Sequence, residues 1–109
     1  MLNNQLTKGT IKILILNILE DGSRMYGYEI SKALDQRTQG KIGITEGTLY
    51  PTLHTLLKEG YVITDTENIG KRERKYYRLT EAGKDYTREM TLELLDFAST
   101  LLGFIQAKP

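Results

Sequence analysis

The chain has 109 residues, 39% of them apolar, with 15 Lys and Arg against 14 Asp and Glu, a single histidine and no cysteine. That length holds one modest core and so one domain, while the lack of cysteine removes disulfide frameworks, thiolate metal sites and cysteine nucleophiles and fits a reducing, cytoplasmic setting. The opening MLNNQLTKGTIKILILNILEDG is broken by Lys12 and Asn17 and falls short of the roughly 20 apolar residues of a membrane helix; neither anchor nor signal peptide is expected.

From Lys8 to Asp21, Ile11, Leu14, Ile15, Ile18 and Leu19 recur at helical spacing. Ile13 and Leu16 make this helix apolar around most of its girth, so it is expected to be covered on more than one side. Asp21-Gly22 is its predicted stop. A second, amphipathic helix follows over 27–37 with Ile30, Ala33 and Leu34 inward. TQGKIGIT then reads as a loop with a short extended piece at 42–44.

In ITEGTLYPTLHTLLKEGY, Leu49, Leu53, Leu56 and Leu57 share one face of a third helix, capped by Thr45 or Gly47. Gly47, Thr48, Pro51, His54, Thr55 and Lys58 point the other way. A proline in a helix interior removes a hydrogen bond and clashes with the carbonyl four residues back, so the helix is predicted to begin at Thr48, which leaves Pro51 in the first turn. Gly60 closes it. YVITDTE alternates as a strand, NIGK turns the chain, and RKYYRLT alternates on the way back with Tyr77 and Leu79 on one face and Arg74, Tyr76 and Arg78 on the other. Thr80 is predicted to cap a long final helix. There Met90, Leu94, Phe97, Leu101 and Phe104 form a heptad seam that Leu95, Ala98, Leu102 and Ile105 widen. One small domain does not cover so broad an apolar face, and a homodimer is its simplest cover.

Charge is distributed unevenly. Residues 1–70 carry 7 basic against 8 acidic side chains, whereas residues 71–78 carry Lys71, Arg72, Arg74, Lys75 and Arg78 against Glu73 alone. Three helices, a hairpin with a basic tip and a further helix is the order of a winged helix-turn-helix domain: mainly α with a small β-hairpin, α+β. The expected division is a DNA-binding part over 1–80 and a C-terminal dimerisation helix over 81–109, the latter forming one structural unit with the first helix.

YGYEI at 26–30, GTLYPTLHTLLKEG at 47–60 and RKYYRLTEAG at 74–83 resemble the signature segments of PadR-like transcriptional regulators. The resemblance spans about residues 9 to 83. It implies a bacterial or archaeal homodimeric transcription factor, commonly a repressor, that binds an inverted-repeat operator in double-stranded DNA and is often released by a small molecule. In short members a single C-terminal helix makes the dimer. Some relatives hold flat hydrophobic compounds between subunits with a tryptophan in the last helix; this chain has none, which leaves Phe97 and Phe104 to line any pocket for a small hydrophobic or aromatic effector.

The candidate DNA-contacting residues are Thr48, Tyr50, Pro51, His54 and Lys58 on the third helix and Lys71, Arg72, Arg74, Lys75 and Tyr76 on the wing. The leading turns of that helix hold no Arg, Asn or Gln for bidentate base contacts, so discrimination is expected from Thr, Tyr and His contacts, thymine-methyl packing and DNA shape. The candidate dimer residues are Ile11, Ile15, Met90, Leu94, Phe97, Leu101 and Phe104. Tyr26, Tyr28 and Tyr77 read as packing residues. A lone histidine without cysteine is no metal site. No phosphate loop, nucleophile elbow or paired catalytic carboxylates are found, so neither enzyme activity nor a cofactor is expected. The alternative from another class is a winged-helix adapter that uses its basic wing on an acidic protein.

Overall fold

The computed structural model describes residues 4–21 and 24–107. They run as α1 (Asn4–Thr7), α2 (Ile11–Asp21), β1 (Met25–Tyr26), α3 (Gly27–Arg37), α4 (Glu46–Lys58), β2 (Val62–Ile69), β3 (Arg72–Leu79) and α5 (Glu81–Gln106). This is the expected α+β arrangement, with one antiparallel sheet in the order β1-β3-β2.

The broadly apolar α2 lies at the centre. Ile15, Leu16, Ile18 and Leu19 are buried against Ile30 and Leu34 of α3, Leu49, Leu53 and Leu56 of α4, and Val62, Tyr77 and Leu79 of the sheet. It starts at Ile11 and not at Lys8, because the backbone N–H and hydroxyl of Thr10 both donate to the Thr7 carbonyl, at 2.9 and 2.7 Å, and close a turn that sets α1 apart. The predicted stop at Gly22 lies outside the described residues. The expectation that Ile11 and Ile15 face a partner is corrected: Ile11 is 7% and Ile15 0% exposed within the chain itself, so both serve this core.

α3 runs over the predicted span, and the Glu29 carboxylate accepts from the Tyr26 N–H at 3.1 Å just before it. The extended piece expected at 42–44 is not a strand. The Ile42 N–H donates to the Thr38 hydroxyl at 3.0 Å, and that hydroxyl in turn donates to the Leu34 carbonyl at 2.9 Å, so the segment is held to the end of α3 and not to a strand. The third strand is instead β1, with Met25 opposite Tyr77 and Tyr26 opposite Tyr76.

α4 begins at Glu46, two residues before the predicted start, and Pro51 lies inside it. The helix tolerates it because the acceptor left unpaired, the Gly47 carbonyl, belongs to an exposed residue that water can reach.

The wing is longer than predicted. Val62 to Ile69 pair with Leu79 to Arg72, and the turn shrinks to Gly70 and Lys71, with Gly70 at φ 63°, as a two-residue hairpin with glycine in its first central position requires.

Thr80 caps α5 as predicted: its hydroxyl accepts from the Gly83 N–H at 2.9 Å and donates to the Gly60 carbonyl at 2.7 Å. The first turns of α5 are fastened to the domain by the Tyr61–Tyr86 stack, 4.0 Å between centroids, and by Asn17 of α2 donating to the Thr91 hydroxyl at 3.0 Å. Beyond them the helix leaves the domain; at about 1.5 Å per residue its 26 residues account for most of the molecule's 64 Å length. Among the described residues no helix is long and apolar enough to cross a membrane.

Candidate nucleic-acid interface

Helical periodicity divides α4 cleanly. Leu49, Leu53 and Leu56 are buried, which turns Thr48, Tyr50, Pro51, His54, Thr55 and Lys58 outward on one exposed face. The Thr52 and Thr55 hydroxyls donate back to the carbonyls of Thr48 and Pro51, at 2.7 and 3.1 Å, and so keep their oxygens as acceptors. The structure brings Thr48, Pro51, His54 and Lys58 together on that face, with Tyr50 at its edge leaning over Gly27 of α3.

The wing candidates divide between two faces. Strand alternation puts Arg72, Arg74, Tyr76 and Arg78 on the outer face with Asp65 and Glu67, and Lys75 on the opposite face with Tyr77; Lys71 is at the tip. Arg78 is paired with Asp65 at 2.9 Å, and Glu67 is taken by Arg24 at 2.6 Å. Among the described residues, none of Lys71, Arg72, Arg74 and Lys75 is in an ion pair. The distal wing therefore displays cations whose charge is not cancelled locally, while the acids nearer its base are neutralised.

Arg74 is nonetheless oriented. Its guanidinium lies 4.1 Å from the centre of the Tyr26 ring, and the Tyr76 hydroxyl, more than the nearby charges of Tyr26 and Glu29, holds it above its ordinary pKa. Arg24 covers the Tyr76 ring at 4.2 Å, a contact of about 0.5–1 kcal/mol at exposed sites, and Tyr76 meets Tyr26 edge to face at 5.7 Å. Tyr76 is thus half-buried inside a stack that ties the wing to the start of α3. Tyr28, expected to pack, is 64% exposed, its ring stacked on that of Tyr26 at 6.4 Å. Tyr77 is a core residue as expected; burial, and secondly Tyr50, push its phenol above the usual pKa.

Sequence reasoning missed two residues here. Arg24 acts on a carboxylate 43 positions away and left no periodic signal. Gly27 is buried under the Tyr50 ring: a methyl group there would collide with the Tyr50 hydroxyl and lie 2.8 Å from Cζ. The small residue between two tyrosines in YGYEI was its signal.

On α5, Met90 and Leu94 are half-buried. Phe97, Leu101 and Phe104 are 57, 44 and 80% exposed, and Leu92, Leu95, Leu102 and Ile105 are exposed as well. The outer half of the seam is an uncovered apolar helix.

The transcriptional regulator PadR-like family matches residues 15–89. A protein from Lysinibacillus sphaericus, named only as uncharacterized protein X, is 35% identical over 96 residues, 85% of each chain. The structure of a transcriptional regulator from Clostridium thermocellum superposes with a TM-score of 0.85 at 30% identity, over 94% of this chain and 99% of that one. Bacillus subtilis PadR, solved in complex with operator DNA, superposes with a TM-score of 0.68 at 28% identity, over 75% of this chain and 45% of that one. The match covers α2 from Ile15 onward, the α4 face and the whole wing, and the chain belongs to the PadR-like family of transcriptional regulators, which are not enzymes.

Proposed function

We propose that the chain is a homodimeric repressor that lays α4 in the major groove of an inverted-repeat operator and sets its wing against the neighbouring backbone and minor groove. One observation carries this reading: the four wing cations left without ion pairs among the described residues accompany an exposed, largely polar face of α4. Such cations release counterions on meeting phosphates, which allows a nearly neutral chain to bind DNA tightly. The likeness to a PadR solved on its operator supports the same assignment.

The segment 81–109, whose helix is α5 (Glu81–Gln106), serves in dimerisation. The exposed Phe97, Leu101 and Phe104 supply the apolar contact, and burying a side chain of this kind contributes ~1.5–3 kcal/mol. A second subunit sets the two copies of α4 about 34–36 Å apart, one turn of B-DNA. A small hydrophobic or aromatic effector between the subunits, beside Phe97 and Phe104, releases the operator by changing that spacing, and the protein works in the cytoplasm where the DNA lies.

The test is fluorescence anisotropy with the duplex upstream of the protein's own gene against a scrambled duplex, at two salt concentrations, together with sedimentation of the free protein. Submicromolar, salt-sensitive, discriminating binding by a dimer is expected. A stable monomer at micromolar concentration contradicts the assembly.

A further inference from the structure

A cleft of about 350 Å³ separates α4 from the wing. Tyr50 lines its α4 side, and Arg72, Glu73, Arg74, Lys75 and Tyr77 of β3 line its wing side, three cations against one carboxylate. Tyr50 reaches this cleft because Gly27 has no side chain. The ring lies against the first residue of α3, which draws the hydroxyl away from the front of α4 where Thr48 and His54 project.

Position in the complex decides what such a cleft meets. With α4 in a major groove and the wing tip at the adjacent minor groove, the ridge of DNA between the two elements is the sugar-phosphate backbone, not a base edge. Lys75, on the β3 face that it shares with Tyr77, and Arg72 and Arg74, on the opposite face of the same strand, are in no ion pair among the described residues and give the wing side a net positive charge, and Tyr50 adds a hydroxyl donor from the helix side. A hydroxyl and an ammonium or guanidinium converging on one oxyanion make the strong, charge-assisted kind of hydrogen bond.

We propose that this cleft is the seat of one backbone phosphodiester in each half-site, and that Tyr50 is a phosphate ligand that sets the register of α4 and does not read a base. The proposal rests on the DNA-binding reading above and deepens it. Gly27 is the positioning residue: a side chain there would displace the Tyr50 ring and open the seat.

The test starts from a duplex that the full chain itself enriches from a random-sequence pool. Each phosphate of that duplex is replaced in turn by a neutral methylphosphonate, and every possible base change is made in parallel. Affinities are measured for the wild type, Tyr50→Phe and Gly27→Ala. In the wild type one phosphate position per half-site is expected to cost about tenfold when neutralised, the scale of a hydrogen bond to a charged group. Tyr50→Phe, which keeps the ring and with it the fold, is expected to lose about as much on the native duplex. At that one position its methylphosphonate penalty is then smaller than that of the wild type, the remainder being the charge that the wing cations still hold, and its base preferences match those of the wild type. Gly27→Ala is expected to show the same pattern. A methylphosphonate loss that persists undiminished in Tyr50→Phe, or a changed base preference at one position, overturns the seat while leaving DNA binding intact. Failure of the wild type to enrich any duplex overturns the DNA-binding reading itself, and the seat with it.

Discussion

Gly83 lies against the backbone of Tyr61: a methyl group at position 83 would overlap the Tyr61 carbonyl oxygen and lie 2.9 Å from its carbon. That carbonyl already accepts from the Thr80 N–H at 3.1 Å, so the end of α4, the start of the wing and the first turn of α5 meet at one buried point. Replacing a glycine inside a helix by alanine ordinarily stabilises by up to ~1 kcal/mol. Here the sign reverses, because the colliding atom is backbone. Gly83→Ala is expected to destabilise by ~1–3 kcal/mol, the scale of overpacking. Denaturant unfolding checks this, and a raised midpoint would show that the junction yields easily.

The neighbouring cap gives a second prediction. Thr80→Ala removes both the acceptor for the Gly83 N–H and the donor to the Gly60 carbonyl. A loss of ~0.5–2 kcal/mol is expected, with Thr80→Ser retaining most of the stability. Equal losses in the two variants would mean that the methyl group, and not the hydroxyl, holds the junction.

The wing cations are expected to act in two classes. Lys71→Ala with Arg72→Ala removes charges that no ion pair holds, four per dimer, and should flatten the slope of log affinity against log salt by at most about 3.6. Arg78→Ala, whose side chain is paired with Asp65 at 2.9 Å, should leave that slope unchanged. The check is a salt titration of binding to a single duplex. A slope change on losing Arg78 as large as that of the tip pair would place Arg78 on a phosphate.

Leu101→Glu sets a carboxylate in the uncovered apolar half of α5, where Leu101 is 44% exposed. In a dimer this buries an unpaired charge, and dissociation together with loss of tight operator binding is expected; an uncompensated buried charge costs about 3–5 kcal/mol. Sedimentation and anisotropy on the same sample measure both. Wild-type dimerisation by this variant would remove the seam from the interface.

Alkaline pH should loosen the fold through two groups. Burial, and then Tyr50, raises the Tyr77 phenol, so the native state keeps its proton after the unfolded chain has lost it. Burial works to lower Lys12, but its hydrogen bond to Glu59 at 2.6 Å and the nearby Tyr86 prevail and raise it. Both contributions are whole below the unfolded pKa values, near ~10, and both are lost as pH rises through the folded ones. Tm is therefore expected to hold to about pH 9 and to fall above ~10, less steeply in Tyr77→Phe. A Tm that is flat through pH 11 would contradict this.

Much of this fold was legible because its signals are local. The Leu49, Leu53 and Leu56 spacing oriented α4, the alternation in RKYYRLT separated Tyr77 from Arg74, and Thr80 announced α5. The misses share one physical cause, dependence on partners distant in sequence. A strand as short as Met25–Tyr26 exists only because β3 lies beside it, and the local pattern at 42–44 looked the better strand. The start of α4 was misplaced because the lost hydrogen bond and the clash of Pro51 were weighed without the solvent that reaches Gly47. Ile15 was assigned to a partner from a helix apolar on all sides, when the chain's own core takes that face. Arg24 and Gly27 emerge only once α3, α4 and the wing are assembled around them.

The most direct measurement is enrichment of duplexes by the full chain from a random-sequence pool, followed by sequencing. A dimer reading DNA with α4 and the wing predicts an inverted repeat whose half-sites lie about 10–10.5 base pairs apart, centre to centre, or a multiple of that. Enrichment of a lone, unrepeated half-site would contradict the homodimer, and no enrichment at all would contradict the DNA-binding account as a whole.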